Sequence, residues 1–81
     1  MNIFVGNLPF TTNDSDLEKL FASYGAVDSA RVITDRETGR SRGFGFVEMS
    51  DASAAQEAIK ELDGSDVDGR SLNVNEARPR S

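Results

Sequence analysis

The sequence predicts an α+β sandwich: a four-stranded antiparallel sheet with two helices laid on one face. Three observations predict it. Segments of alternating polarity and segments of helical spacing follow one another in the order β-α-β-β-α-β. The strands sort by parity into an aliphatic set and a mixed set, and only the first matches the apolar stripes of the helices. A chain of 81 residues has room for one core and no third layer.

The first strand is read in NIFVG, residues 2–6, and NLPF leads out of it. Asn13, three residues before Asp16, predicts a helix cap with an acidic first turn. Leu17, Leu20, Phe21 and Tyr24 then recur at helical spacing, and Gly25 stands where the helix is expected to end. AVDSARVIT, 26–34, reads as the second strand, and DRETGRS, 35–41, as a charged loop turning at Thr38 and Gly39. GFGFVEM, 43–49, is the third strand.

Ser50 or Asp51 caps a second helix with the buried stripe Ala55, Ala58, Ile59 and Leu62, and Asp63 and Gly64 end it. DVDGR carries a hairpin-type turn at Asp68 and Gly69, and SLNVN, 71–75, is the last strand. No core residue follows Ala77, so the domain is assigned to 1–77 and a loose tail to 78–81. This order of elements is that of a ferredoxin-like fold.

Two helices, each about 10 Å across, cover one face of a sheet less than about 20 Å wide. The other face must be wet. Ile3, Val5, Ala30, Val32, Val47, Met49, Leu72 and Val74 form the set expected in the core. The open face then carries Asn2, Phe4, Arg31, Ile33, Arg42, Phe44, Phe46, Glu48, Asn73 and Asn75. Gly43 and Gly45 fall on the core side, where a missing side chain lets a helix approach. Leaving Phe4, Phe44 and Phe46 in solvent forgoes roughly 1.5–3 kcal/mol per ring. A contiguous aromatic patch of this kind marks a binding surface, unless a loop or the tail folds over it.

Composition excludes several functions. The chain has no cysteine and no histidine, which removes disulfides, thiol nucleophiles, imidazole bases and the usual zinc ligand sets. Neither a metal nor a cofactor is expected. No run of about 20 apolar residues exists to cross a membrane. Patterned sequence begins by Ile3 and leaves no space for a leader, so a cytoplasmic location is expected. The net charge of −5, with 14 acidic and 9 basic residues, argues against a general polyanion-binding surface.

IFVGNL, 3–8, resembles the hexamer motif of the RNA recognition motif family, and RGFGFVEM, 42–49, resembles its octamer motif. The two stand about forty residues apart, and the likeness runs from about Asn2 to Ala77. It is greatest to short single-domain bacterial members, notably of cyanobacteria, and to glycine-rich cold-responsive relatives. The resemblance implies single-stranded RNA binding by a monomer. Phe4 and Phe46 would be base platforms, Phe44 would pack against sugars, and Arg42 would pair with a phosphate. Met49 departs from the aromatic of the motif, but it points into the core and changes packing rather than binding. Asn2 stands where relatives often carry a basic residue.

Stacking by rings without polar handles tolerates any base, so selectivity is left to edge contacts from Asn73, Asn75, Arg31, Glu48 and the backbone near Ala77 and Arg78. The acidic residues are expected on the helices and the segment after them, about 10 Å behind the sheet and beyond a Debye length of about 8 Å. Arg31, Arg36, Arg40, Arg42, Arg78 and Arg80 lie on the open face or its rim, the loop pair Arg36 and Arg40 also balancing Asp35 and Glu37. Two or three stacked bases at about 1–3 kcal/mol each predict low-micromolar binding at best. A protein-binding relative of the same fold is the alternative, and single-stranded DNA competes with RNA for the same rings. An enzyme is not expected: Glu48 occupies the third glycine position of a dinucleotide fingerprint and no helix follows directly.

Overall fold

In the computed structural model, which describes residues 1–67 and 69–77, Asn13 starts the first helix as its type predicts. Its Oδ1 accepts from the Asp16 amide at 2.8 Å, and the Asp16 carboxylate accepts from the Asn13 amide at 3.3 Å. This reciprocal pair satisfies two backbone donors that the helix itself leaves free. Asp51, rather than Ser50, caps the second helix and accepts from the amides of Ser53 and Ala54. The described residues run β1 (Asn2–Gly6), α1 (Asp14–Ala22), β2 (Ser29–Thr34), β3 (Ser41–Glu48) and α2 (Ala52–Leu62). There follow β4 (Asp66–Val67), β5 (Arg70–Ser71) and β6 (Asn73–Ala77).

The main sheet has the order β2-β3-β1-β6, antiparallel throughout, with the two helices on one face, as a ferredoxin-like sandwich requires. Helix α1 packs across β2 and β3, and α2 lies against β6. Ile3, Val5, Val47, Met49, Leu72 and Val74 are fully buried or nearly so with Leu8, Leu17 and Phe21, while Ala30 and Val32 pack at the margin of this core. The parity assignment therefore holds on all four strands.

Several boundaries differ from the sequence reading. Strand β2 begins at Ser29, three residues later than expected, and β3 begins at Ser41, two residues earlier than expected. The last strand is 73–77, not 71–75. Ser71 belongs to a separate two-stranded hairpin, in which Asp66 pairs with Ser71 and Val67 with Arg70. Gly69 has the positive φ of 78° that such a turn needs, while Asp68 and the 78–81 tail lie outside the described residues. Glu76 and Ala77 pair with Ile3 and Asn2.

Two glycines act differently from their reading. The helix α1 is capped at Ser23, and Gly25 instead marks a close approach of α2: a β-carbon there would stand 2.6 Å from the Ala54 β-carbon. Gly43 has φ 81° and ample space, so the backbone conformation, not a nearby helix, calls for glycine. Only Gly45 serves the role assigned to both, with Leu17 of α1 at 3.0 Å from such a β-carbon.

Candidate nucleic-acid interface

Strand register assembles the helix-free face into rows. Arg31, Phe46, Phe4 and Asn75 stand side by side across β2, β3, β1 and β6. One row along, Ser29, Glu48, Asn2 and Ala77 align; on the other side Phe44, Gly6 and Asn73 do so. The three phenylalanines thus meet at the centre of the sheet. Their ring centroids are 5.9 Å (Phe4 to Phe44), 5.8 Å (Phe4 to Phe46) and 6.2 Å (Phe44 to Phe46) apart. The Phe46 ring stands edge-on to both others, at 62° and 87°. Such edge-to-face pairs are favourable and hold rings in defined orientations.

The rings are less exposed than expected. Phe46 is 41% exposed, whereas Phe4 and Phe44 are half-buried. Mutual packing is one reason. The other is Gly6, an open-face position that the sequence reading passed over. A β-carbon on Gly6 would stand 3.0 and 3.2 Å from atoms of the Phe4 ring, so that ring lies along the sheet over the space the glycine leaves.

Arg31 and Glu48 are exposed on this face beside Phe46, and Asn73 and Asn75 are exposed on β6. Arg42 is exposed near the start of β3 and shares one hollow with Thr34, Asp35, Arg36 and Glu37 of the neighbouring loop. Two carboxylates therefore lie near the cation expected to meet a phosphate. Ile33 is half-buried beside an irregularity in the β2–β3 register between Val32 and Thr34 and has no partner across the ladder. Arg78 lies outside the described residues.

Several acidic side chains are engaged with backbone, four at helix ends and Asp35 in the loop beside Arg42. Asp14 Oδ1 accepts from the Val32 amide at 2.7 Å, tying α1 to β2. Asp63 Oδ1 accepts from the Val74 amide at 3.0 Å, tying the end of α2 to β6. Asp16 and Asp51 serve the helix caps, and Asp35 Oδ1 accepts from the Glu37 amide in the β2–β3 loop. Part of the negative charge, five of the 14 acidic residues, is thus explained by what it builds. Among the described residues, no group of three or more His, Cys, Asp or Glu side chains is placed to hold a metal ion. No helix among them is long and apolar enough to cross a membrane.

Beyond the expected residues, the structure brings Phe10 and Arg70 to the rim beside Phe44. Phe10 is 64% exposed, and the Arg70 guanidinium carbon stands 5.1 Å from its ring centroid. Arg70 is separated from Phe10 by sixty residues and is carried there by the β4–β5 hairpin, so no local pattern in the sequence pairs them.

Residues 3–73 match the family model of the RNA recognition motif. The chain is 58% identical over 80 residues to the chloroplastic 28 kDa ribonucleoprotein of Spinacia oleracea, covering 96% of this chain and 34% of that protein. It therefore spans about a third of that relative's length. To RbpE of Nostoc sp. (strain PCC 7120) it is 54% identical over 80 residues, covering 99% of this chain and 81% of the relative. The crystal structure titled RNA Binding Protein PG1 superposes with a TM-score of 0.95 at 59% identity, covering 100% of this chain and 98% of that one.

Proposed function

The chain belongs to the RNA recognition motif family, and from that premise we propose that it binds unpaired RNA by stacking bases on the helix-free face of its sheet. One observation carries the reading: Phe4, Phe44 and Phe46 converge on that face with centroids about 6 Å apart, set across the two central strands. The names of relatives, a ribonucleoprotein and an RNA-binding protein among them, support it.

Phe46, the most exposed of the three, and Phe4, lying over Gly6, are the base platforms; Phe44 packs against the sugar between them. Arg42 pairs with a phosphate. Asn2, Arg31, Glu48, Asn73 and Asn75 border the rings and, with Ile33 and Arg78, contact base edges and sugars. Asn73 and Asn75 offer both a donor and an acceptor, so they suit base edges better than phosphates. Each platform works from a single copy of the chain, so binding proceeds as a monomer. It involves no chemistry on the RNA, which makes this a binding module rather than an enzyme. The setting the reading requires is an aqueous compartment that holds RNA. The cytoplasm qualifies, and so does an organelle interior such as the chloroplast named for the spinach relative.

Discrimination between RNA and single-stranded DNA depends on contacts to the 2′-OH. The Phe44 ring, expected against the sugar, is the place to look for it. Titration of short RNAs and their DNA counterparts, followed through backbone amide shifts, tests the proposal. Shifts along β1 and β3, larger and at lower concentration for RNA, are the expected result. Shifts confined to α1 and α2 would overturn it and favour a protein-binding role for the same fold.

A further inference from the structure

We infer that Phe10 and Arg70 form an additional nucleotide subsite, continuous with the central rings, that lengthens the bound RNA by one base. The inference rests on the proposed RNA reading of the sheet and adds a position to it. Phe10 is the most exposed large apolar side chain among the described residues, at 64%. An exposed ring held in one place by a charged partner is unlike a ring left at random on a surface. Arg70 holds it: the guanidinium carbon is 5.1 Å from the ring centroid, within cation–π range.

Arg70 is itself fixed. Its Nη1 donates to Asn7 Oδ1 at 3.3 Å, and Asn7 Nδ2 donates to the Ser71 carbonyl at 2.7 Å. Asn7 adopts φ 60°, a left-handed conformation that asparagine tolerates better than most residues, and this turn carries the chain out of β1 toward Phe10. The end of β1 and the β4–β5 hairpin are therefore locked together, and the Phe10–Arg70 pair sits on the junction.

Phe10 and Arg70 line one cleft together with Phe44, Arg42, Asn7 and Asn73, and the cleft measures about 410 Å³. No carboxylate is found among the described residues that line it. In a chain of net charge −5 this is a local concentration of two arginines and three phenylalanines, counting Phe4 at its inner end. That combination suits a nucleotide: a π-face for the base and guanidinium donors for the phosphate on either side. One face of Phe10 is covered by Arg70, so the base stacks on the other, while the remaining donors of Arg70 and those of Arg42 meet the phosphates.

The test uses mixed-sequence RNA dinucleotides, which span only the Phe4 and Phe46 platforms, and heptamers, titrated against the wild-type chain, Phe10→Ala and Arg70→Ala. The heptamer-to-dinucleotide affinity ratio should fall about five- to tenfold in Phe10→Ala, the low end of what one stacked base contributes. Alternative registers favour the heptamer equally in both proteins and cancel in the comparison. The chain has no tryptophan and one tyrosine, so Phe10→Trp, excited at the red edge where Tyr24 does not absorb, supplies a single tryptophan signal at the subsite. Its emission should be quenched by saturating heptamer. An unchanged ratio with unquenched emission would overturn the inference. So would an equal loss for both lengths in Phe10→Ala and Arg70→Ala, which would make the pair a clip for the hairpin. Failure of the wild-type chain to bind either length would instead sink the RNA reading itself.

Discussion

Replacing Gly45 by alanine tests how the sheet beneath the rings is held together. Gly45 lies on β3 opposite Val5 of β1 and Val32 of β2. A β-carbon there would stand 2.4 Å from the Arg31 carbonyl oxygen, 3.0 Å from Leu17 Cδ2 and 3.1 Å from Val32 Cα. Leu17 can turn aside. The carbonyl and the Cα cannot, because they belong to the β2 backbone, which yields only if the β2–β3 ladder opens. Overpacking a tight core costs about 1–3 kcal/mol. Against this stands the lower backbone entropy of unfolded alanine, a gain of about 0.5–1 kcal/mol. With backbone oxygen that close the steric cost prevails, leaving a net loss of about 1–2 kcal/mol. For a domain of this size each kcal/mol lowers Tm by roughly 4–8 °C, so circular dichroism should record a fall of roughly 5–15 °C. A variant melting at or above the parent temperature would refute the close approach of β2 to β3, and with it the register that sets Arg31 beside Phe46.

Other outcomes follow from the same structure. Asp63→Ala should lose about 1–3 kcal/mol in urea unfolding, because the partly buried Val74 amide loses its acceptor, whereas Asp63→Asn should stay close to wild type. Phe46→Ala should cost less than about 2 kcal/mol of stability, since the ring is already 41% exposed, yet weaken RNA about 5- to 150-fold by anisotropy. Two to four neutralised phosphates at about 0.7 each predict a salt slope between about −1.4 and −2.8, and Arg42→Ala should flatten it by about 0.7.

Parity carried most of what was legible in the sequence. Ile3, Val5, Val47, Met49 and Val74 alternate with Asn2, Phe4, Phe46, Glu48 and Asn75, and a two-residue period leaves no freedom about which set shares a face. The caps were legible as well, Asn13 and Gly64 for example, because they act within three or four residues. What escaped depends on distant partners or on backbone angles. Gly25 read as the end of a helix and Gly43 as room for one, but the first is set by Ala54 and the second by a positive φ. The 66–71 hairpin absorbed Ser71 because its pairing competes with extension of the last strand, a choice that composition does not decide. The half-burial of Phe4 depends on Gly6, and the Phe10–Arg70 pair on a hairpin sixty residues away.

The proton spectrum of the phenylalanine rings during an RNA titration tests base stacking most directly. Bases lying on the rings shield the ring protons, so resonances of Phe4 and Phe46 should move upfield and saturate with the same binding constant that anisotropy reports. Saturated binding with those resonances unmoved would contradict the account, since RNA would then be held somewhere other than on the rings.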